Sequence, residues 1–356
     1  MINEIKTEHL RQLSEYRSGL QKAPKLKFLF LELTRRCNES CIHCGSRCGD
    51  MTGRELTLEQ YKDFLDKIKR DFTTRGIQLC ITGGEPLLRR DFFEIMGYAH
   101  SLGFQWGMTS NGTLIDRETA AKLEECGMGT ISVSLDGMKG SHDAFRRTPG
   151  GWDAAVRGIN ALIEQNAFQE IQVTTVIHKG NIEELDELYD YLCGVDIDSW
   201  RLATIEPIGR ALDAGLSLDA EDYRWVLDFI RAKRAENMPV TYGCTHYLGA
   251  HYEREVRDWY FLCNAGIYTA GIRANGDIGA CLDIEMRPEL LEGNILTDDF
   301  TQVWNNGFKP YRTDLCNKSA KCSACGEREF CKGGSFHSWD FDKNEQRICL
   351  KGVLFE

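Results

Sequence analysis

Cys37, Cys41 and Cys44 stand in a C-x3-C-x2-C spacing directly after an apolar run at residues 28–33. Soft thiolates select iron–sulfur clusters, zinc or copper(I). Each iron of a [4Fe–4S] cluster wants a terminal ligand, so three cysteines leave one iron open. A cluster that only carries electrons has no use for that opening. One that must bind a substrate or cofactor needs it, as a catalytic zinc does. The plainer alternative is a structural zinc site with Cys48 or His43 as fourth donor. Further on, Gly83-Gly84-Glu85-Pro86 follows a second apolar run. Its glycines let backbone approach a ligand closely, and Glu85 can accept hydrogen bonds from an ammonium group.

The other large cysteine group lies near the C-terminus. Cys263 is followed by twelve residues, Gly276, four residues and Cys281; then come Cys322-x2-Cys325-x5-Cys331 and Cys349. The paired spacing suits zinc as well as iron–sulfur clusters. Fifteen cysteines in a cytoplasmic chain point to metal or redox chemistry, because disulfides would be reduced there. Cys80, Cys126 and Cys193 fall in strand or helix patterns and read as small buried hydrophobes. Trp259, Tyr260, Trp304 and Trp339 read as core or cluster packing, with His337 and Trp339 alternatively lining a substrate pocket.

These residues need a scaffold. Apolar, β-rich segments at 28–33, 77–82, 105–109, 130–135, 171–177 and 200–205 alternate with helical patterns. Thr57-x-x-Gln60 and Asn181-x-x-Glu184 resemble capping boxes, and Asp116 an N-cap. Six such units imply a parallel sheet with helices outside, too few for a full eight-stranded barrel. The expectation is therefore an α/β fold, a partial (β/α)6 TIM-like barrel with chemistry at the C-terminal strand ends and a small Cys-rich C-terminal domain. The expected division is a helical arm at 1–26, with Ile5, Leu10, Leu13, Tyr16 and Leu20 on its apolar face, a barrel at 27–237 and the Cys-rich domain at 238–356.

Composition bounds the partners. With 42 % hydrophobic residues the chain is globular, and no apolar run reaches membrane-spanning length. A net charge of −11 disfavours nucleic acid. The polar N-terminus lacks a signal-peptide pattern, which points to the cytoplasm.

Taken together, the motifs resemble the radical S-adenosylmethionine (SAM) superfamily. The resemblance implies that Cys37, Cys41 and Cys44 hold a [4Fe–4S] cluster whose open iron binds the amino and carboxylate groups of SAM. An electron then cleaves SAM to methionine and a 5′-deoxyadenosyl radical. It further implies SAM contacts from His43, Gly83, Gly84, Glu85 and Pro86, from Asn111, Ser134 and Asp136, from Arg146 or Arg147, and from Val176, with the 206–210 run near the adenine. The late cysteines resemble the SPASM extension of the same superfamily. By that resemblance Cys322, Cys325, Cys331 and Cys349 hold a distal auxiliary [4Fe–4S] cluster, and Cys263 and Cys281 belong to a proximal one. Ser335 stands where the pattern has a further cysteine. Cys316 is the expected replacement ligand, with Cys244 the second choice; an open site, a [2Fe–2S] cluster or no proximal cluster are the other outcomes.

The activity so implied is modification of a peptide or protein side chain by radical hydrogen abstraction, as in sulfatase-maturing enzymes and maturases of ribosomally made peptides. Asp283, two residues after Cys281, is the candidate base. A flavodoxin- or ferredoxin-type donor would supply electrons. The 27 residues before Phe28 are too few for a fused peptide-recognition domain, so a separate leader-binding protein or direct binding in the barrel is expected. The alternatives are oxidation or rearrangement of a small metabolite, as in related dehydrogenases and haem-pathway enzymes, and a non-enzymatic iron–sulfur electron carrier.

Overall fold

The computed structural model describes residues 2–49, 53–236, 238–244 and 246–355. Six parallel strands form in the expected places: β1 (Phe28–Glu32), β2 (Gln78–Thr82), β3 (Gln105–Ser110), β4 (Met128–Ser134), β5 (Glu170–Ile177) and β6 (Ser199–Thr204). Two short parallel strands flank them, β7 (Val240–Tyr242) beside β6 and β8 (Thr269–Ile272) beside β1. An antiparallel extension, β9 (Asp277–Gly279) and β10 (Gly293–Asn294), completes the sheet. Its order is 10-9-8-1-2-3-4-5-6-7, so β7 ends one edge and β10 the other and the barrel stays open. The outer strands are three or four residues long, too short to leave a periodic signal in sequence. The same sheet thus continues into the Cys-rich region. Asn237, the expected boundary residue, lies outside the described residues.

Helices α1 (Ile2–Lys22), α2 (Leu58–Asp71), α3 (Phe92–Ser101), α4 (Arg117–Glu125), α5 (Lys139–Arg146), α6 (Gly151–Gln165), α7 (Leu185–Cys193) and α8 (Ala220–Lys233) accompany the strands. Thr57 forms the capping box that starts α2, and Asp116 caps α4 through Thr119 N. Asn181 does not cap. Its Oδ1 accepts from His178 N while Nδ2 donates to the Asp136 and Val176 carbonyls, tying two strand ends together. Helix α1 buries Leu10 and Leu20 but leaves Ile5 and Tyr16 about half exposed. Lys6 and Gln21 bind Glu255 and Asp314 instead, so α1 docks on the C-terminal region through polar contacts.

Side chains alternate across each strand. Leu29, Leu31, Leu79 and Ile81 are buried against the outer helices. The opposite face of the sheet offers Gln78, Cys80, Gln172 and Arg201, which line a cavity of about 1210 Å³ rather than filling a core. Cys80 is therefore a cavity residue, and Cys193 is exposed, not buried. Trp259 and Tyr260 also line this space, whereas Trp304 and Trp339 are buried.

Candidate active site

At the C-terminal ends of the strands a smaller cavity of about 260 Å³ gathers Cys37, Cys41 and Cys44 with Gly83, Gly84, Asn111, Ser134 and Arg146. Residues more than 100 positions apart converge because the loops after β1, β2, β3 and β4 all emerge at one rim. His43, Ile208 and Asp283 line both cavities, so the two spaces adjoin there.

The cysteine loop is held by backbone contacts. Arg210 Nε donates to the Cys41 carbonyl at 2.8 Å, and Nη1 to that of Cys48 at 2.9 Å. A Cβ on Gly209, where φ is +55°, would stand 2.4 Å from the Cys44 carbonyl. The 206–210 run thus clamps the cysteine loop. Gly83 and Gly84 serve a similar purpose. Gly84 N donates to the Thr34 carbonyl and Glu85 N to that of Arg36, both at 2.8 Å. A Cβ at Gly84 would meet Arg36 O at 2.0 Å. The close approach these glycines permit is to the backbone of the loop between β1 and Cys37.

Glu85 also departs from expectation. Its side chain is fully buried and does not line the cavity. The carboxylate accepts from Leu87 N, Ser110 Oγ and Asn111 N, tying the end of β3 to the loop after β2. Burial pushes its carboxyl up to about 7. Pro86 is buried beside it. Asn111 lines the cavity with its amide engaged, Nδ2 to Asn38 and Oδ1 from Thr113. Asp136 is sealed beneath Arg146 rather than exposed to the cavity. Its Oδ2 takes the Arg146 guanidinium at 2.8 Å and its Oδ1 the Val176 amide at 2.7 Å. The Val176 side chain lines the large cavity. Between the two arginines, Arg146 is buried in the site and Arg147 is exposed.

Glu39 was not legible in the sequence. It is buried, and its Oε2 receives Arg146 Nη1 at 2.7 Å. Arg146 also comes within 3.9 Å of Cys41 Sγ. Burial opposes its charge, but Asp136, Cys41 and Glu39 outweigh that and hold the guanidinium firmly protonated. His43 stacks on Phe145 at 4.4 Å between ring centroids, and Phe145 on His178 at 3.9 Å. Burial lowers His43 to about 4, so its imidazole is neutral.

The donor set fits a thiolate-ligated cluster. Burial pushes the Cys37 and Cys41 thiols up to about 11 and 12, and a hydrogen bond from Cys48 lowers Cys44 to about 6. Bare thiolates at the first two positions would be costly, and a metal centre supplies the positive charge that releases their protons. Cys48 lines the same cavity.

Among the late cysteines, burial and then Cys349, Cys322 and Cys325 push the Cys331 thiol up to about 12, which puts these four within electrostatic reach of one another. Cys263 acts likewise on Cys281. Cys316, the expected replacement ligand, is buried. Its electrostatic neighbours include Cys322, and its amide donates to the Lys332 carbonyl, because it lies on a short turn packed against the Cys322–Cys331 segment. Cys244 lines the large cavity with Cys263 and Cys281. Ser335 is buried with an unpartnered Oγ. Asp283 lies 3.9 Å from Cys281 Sγ, at the junction of the two cavities. His337 lines the large one.

An open parallel α/β barrel with a triple-cysteine loop at its rim and a Cys-rich C-terminal extension defines a class, and comparison with known proteins places the chain in it. The radical SAM superfamily pattern matches residues 31–192, and the SPASM iron–sulfur cluster-binding domain matches residues 263–326. The chain is 31 % identical to mycofactocin maturase MftC of Mycolicibacterium smegmatis over 310 residues, 85 % of this chain and 76 % of that protein. It is 29 % identical to the AdoMet-dependent heme synthase of Nitratidesulfovibrio vulgaris over 330 residues, 87 % of this chain and 88 % of that one. Among solved structures, Streptococcus suis SuiB bound to S-adenosylmethionine superposes with a TM-score of 0.74 at 19 % identity, covering 92 % of this chain and 77 % of SuiB. This chain belongs to the radical SAM superfamily and carries a SPASM extension. It is an enzyme of that class, which implies SAM and iron–sulfur clusters as cofactors. No helix among the described residues is long and apolar enough to cross a membrane.

Proposed function

We propose that this enzyme modifies a peptide or protein side chain. Cys37, Cys41 and Cys44 would hold a [4Fe–4S] cluster with one open iron, and Cys322, Cys325, Cys331 and Cys349 a distal auxiliary one. Cys263 and Cys281 would contribute to a proximal centre. When bound, the first cluster and SAM supply a 5′-deoxyadenosyl radical that abstracts hydrogen from the substrate. The chain's own contribution is placement. Ser134, Asn111 and Arg146 line the space for SAM, the neutral His43 ring covers one side, and the 206–210 run fixes the cysteine loop. Asp283 stands where the SAM space meets the large cavity, and in this reading it takes the substrate proton. We take residues 27–237 as the catalytic barrel, 238–356 as the auxiliary-cluster region and 1–26 as the helical arm. A flavodoxin- or ferredoxin-type protein in the cytoplasm would deliver the electrons, and the peptide would be held by a separate leader-binding protein or directly in the barrel.

The observation that carries this reading is the cavity of about 1210 Å³, which adjoins the SAM space and is lined by Trp259 and Tyr260. That is room for several residues of extended chain with apolar and polar contacts. The similarity to mycofactocin maturase MftC supports it. A second reading, oxidation of a small metabolite or tetrapyrrole, draws on the same volume and on the similarity to heme synthase. The test is anaerobic turnover with SAM, reductant and short precursor peptides encoded near this gene, followed by mass spectrometry. Hydrogen loss or cross-linking in a peptide supports the first reading. Inert peptides together with conversion of a porphyrin substrate would replace it with the second.

A further inference from the structure

The wall of the large cavity carries another group of donors, which the proposed chemistry does not use. Glu206 follows β6, Cys244 and His246 follow β7, and one ligand atom from each lies within 4.8 Å of the others. His246 Nε2 stands 2.6 Å from Glu206 Oε1, and His337 Nε2 approaches the same oxygen at 3.6 Å. These histidines are the side-chain partners of the Glu206 carboxylate, and His246 is only 4 % exposed. A carboxylate, a thiol and two imidazoles gathered this closely at a cavity wall form a donor set that an electropositive centre could share.

The outer contacts are those of a metal-binding histidine. His246 Nδ1 lies 2.8 Å from Tyr242 Oη, which in turn lies 3.0 Å from Thr204 Oγ1. A bond at Nδ1 fixes the ring and leaves Nε2 for a ligand. Cys244 Sγ accepts from Thr204 N at 3.2 Å, which orients the sulfur.

We propose that Glu206, Cys244 and His246, with His337 as the fourth donor, bind a divalent transition-metal ion of the zinc type at the wall of the large cavity. A mixed set of two imidazoles, one carboxylate and one thiolate suits tetrahedral zinc and is wrong for magnesium or calcium, which take oxygen ligands. One carboxylate and one thiolate balance the charge of a divalent ion. Tetrahedral donors at zinc distances stand roughly 3.3–3.8 Å apart, so the 2.6 Å Glu206–His246 pair would open and the wider spacings, up to 4.8 Å, would close by small side-chain adjustments. The ion would join the end of β6, the segment after β7 and the loop that follows Cys331. The competing use of Cys244, as a substitute auxiliary-cluster ligand for Ser335, predicts different metal chemistry.

The site is read by metal content, independently of substrate or turnover. Anaerobically purified holoenzyme, incubated with zinc and desalted, should retain about one zinc per chain. Zinc-edge X-ray absorption should show a single sulfur among nitrogen and oxygen neighbours. Cys244→Ser and His246→Ala should each lose this zinc and leave iron and sulfide unchanged, and Glu206→Gln should yield it to a chelator that the unmodified protein resists. No retained zinc, or an all-sulfur zinc shell, overturns the proposal. So does loss of iron and sulfide in Cys244→Ser, which would assign Cys244 to an iron–sulfur cluster. If a variant fails to fold, the absorption spectrum of the unmodified holoenzyme decides alone.

Discussion

Arg146 Nη1 donates to Glu39 Oε2 at 2.7 Å, while the same guanidinium holds Asp136 at 2.8 Å. The contact joins the end of α5 to the cysteine loop across 107 residues of chain. All three side chains are buried, so each charge depends on the others. Removing one partner of such a set costs about 3–5 kcal/mol, because it strands the remaining charge. Arg146→Met should therefore lower the unfolding free energy by roughly that amount, and Glu39→Gln by less. Anaerobic denaturant titrations check this, with iron content measured alongside to see whether the cysteine loop still assembles.

Gly84→Ala should be more damaging than Gly83→Ala. The added Cβ meets Arg36 O at 2.0 Å in the first case and Thr34 O at 2.5 Å in the second, backbone atoms that cannot swing aside. Overpacking of this kind costs about 1–3 kcal/mol or more. Melting temperature and iron per chain, compared for both variants, test the order.

The Gly83–Pro86 motif shows how far the sequence could be read. Its place after β2 and beside the cysteine loop was legible, because strand periodicity and spacing fix it. The role of its parts was not. Whether a glycine admits a ligand or a neighbouring loop depends on packing across 50 residues, and the Glu85 carboxylate turned inward because three donors await it. Glu39 was invisible for the same reason: nothing local marks a glutamate as the partner of an arginine far along the chain. The six main strands were legible from their apolar runs, whereas β7 and β8 are held by neighbours rather than by pattern.

Glu85 gives the fold a pH dependence. Burial raises its carboxyl from 4.5 to about 7 in the folded protein. The folded state thus prefers the protonated form. Stability from this group is fully present below pH 4.5 and is lost as pH rises through 7. The full loss is on the order of 3 kcal/mol. Glu85→Gln should be less stable at low pH, where it leaves one buried donor unpaired, but should flatten the slope. Unfolding free energies of both proteins from roughly pH 5 to 8 make the comparison.

Cys331→Ser should lose iron and sulfide from the distal set while retaining reductive SAM cleavage, and should form no modified product. Cys316→Ser, whose thiol has Cys322 among its electrostatic neighbours, should leave the iron count unchanged. Iron and sulfide assays with product analysis separate the two.

The most direct test of the account is 5′-deoxyadenosine formation by anaerobically reconstituted protein given SAM and a strong reductant, compared between the unmodified chain and Cys44→Ala. The unmodified chain should form the nucleoside, and Cys44→Ala should form none while keeping its auxiliary-cluster iron. Cleavage by Cys44→Ala at the unmodified rate would contradict the assignment of Cys37, Cys41 and Cys44 to the SAM-binding cluster.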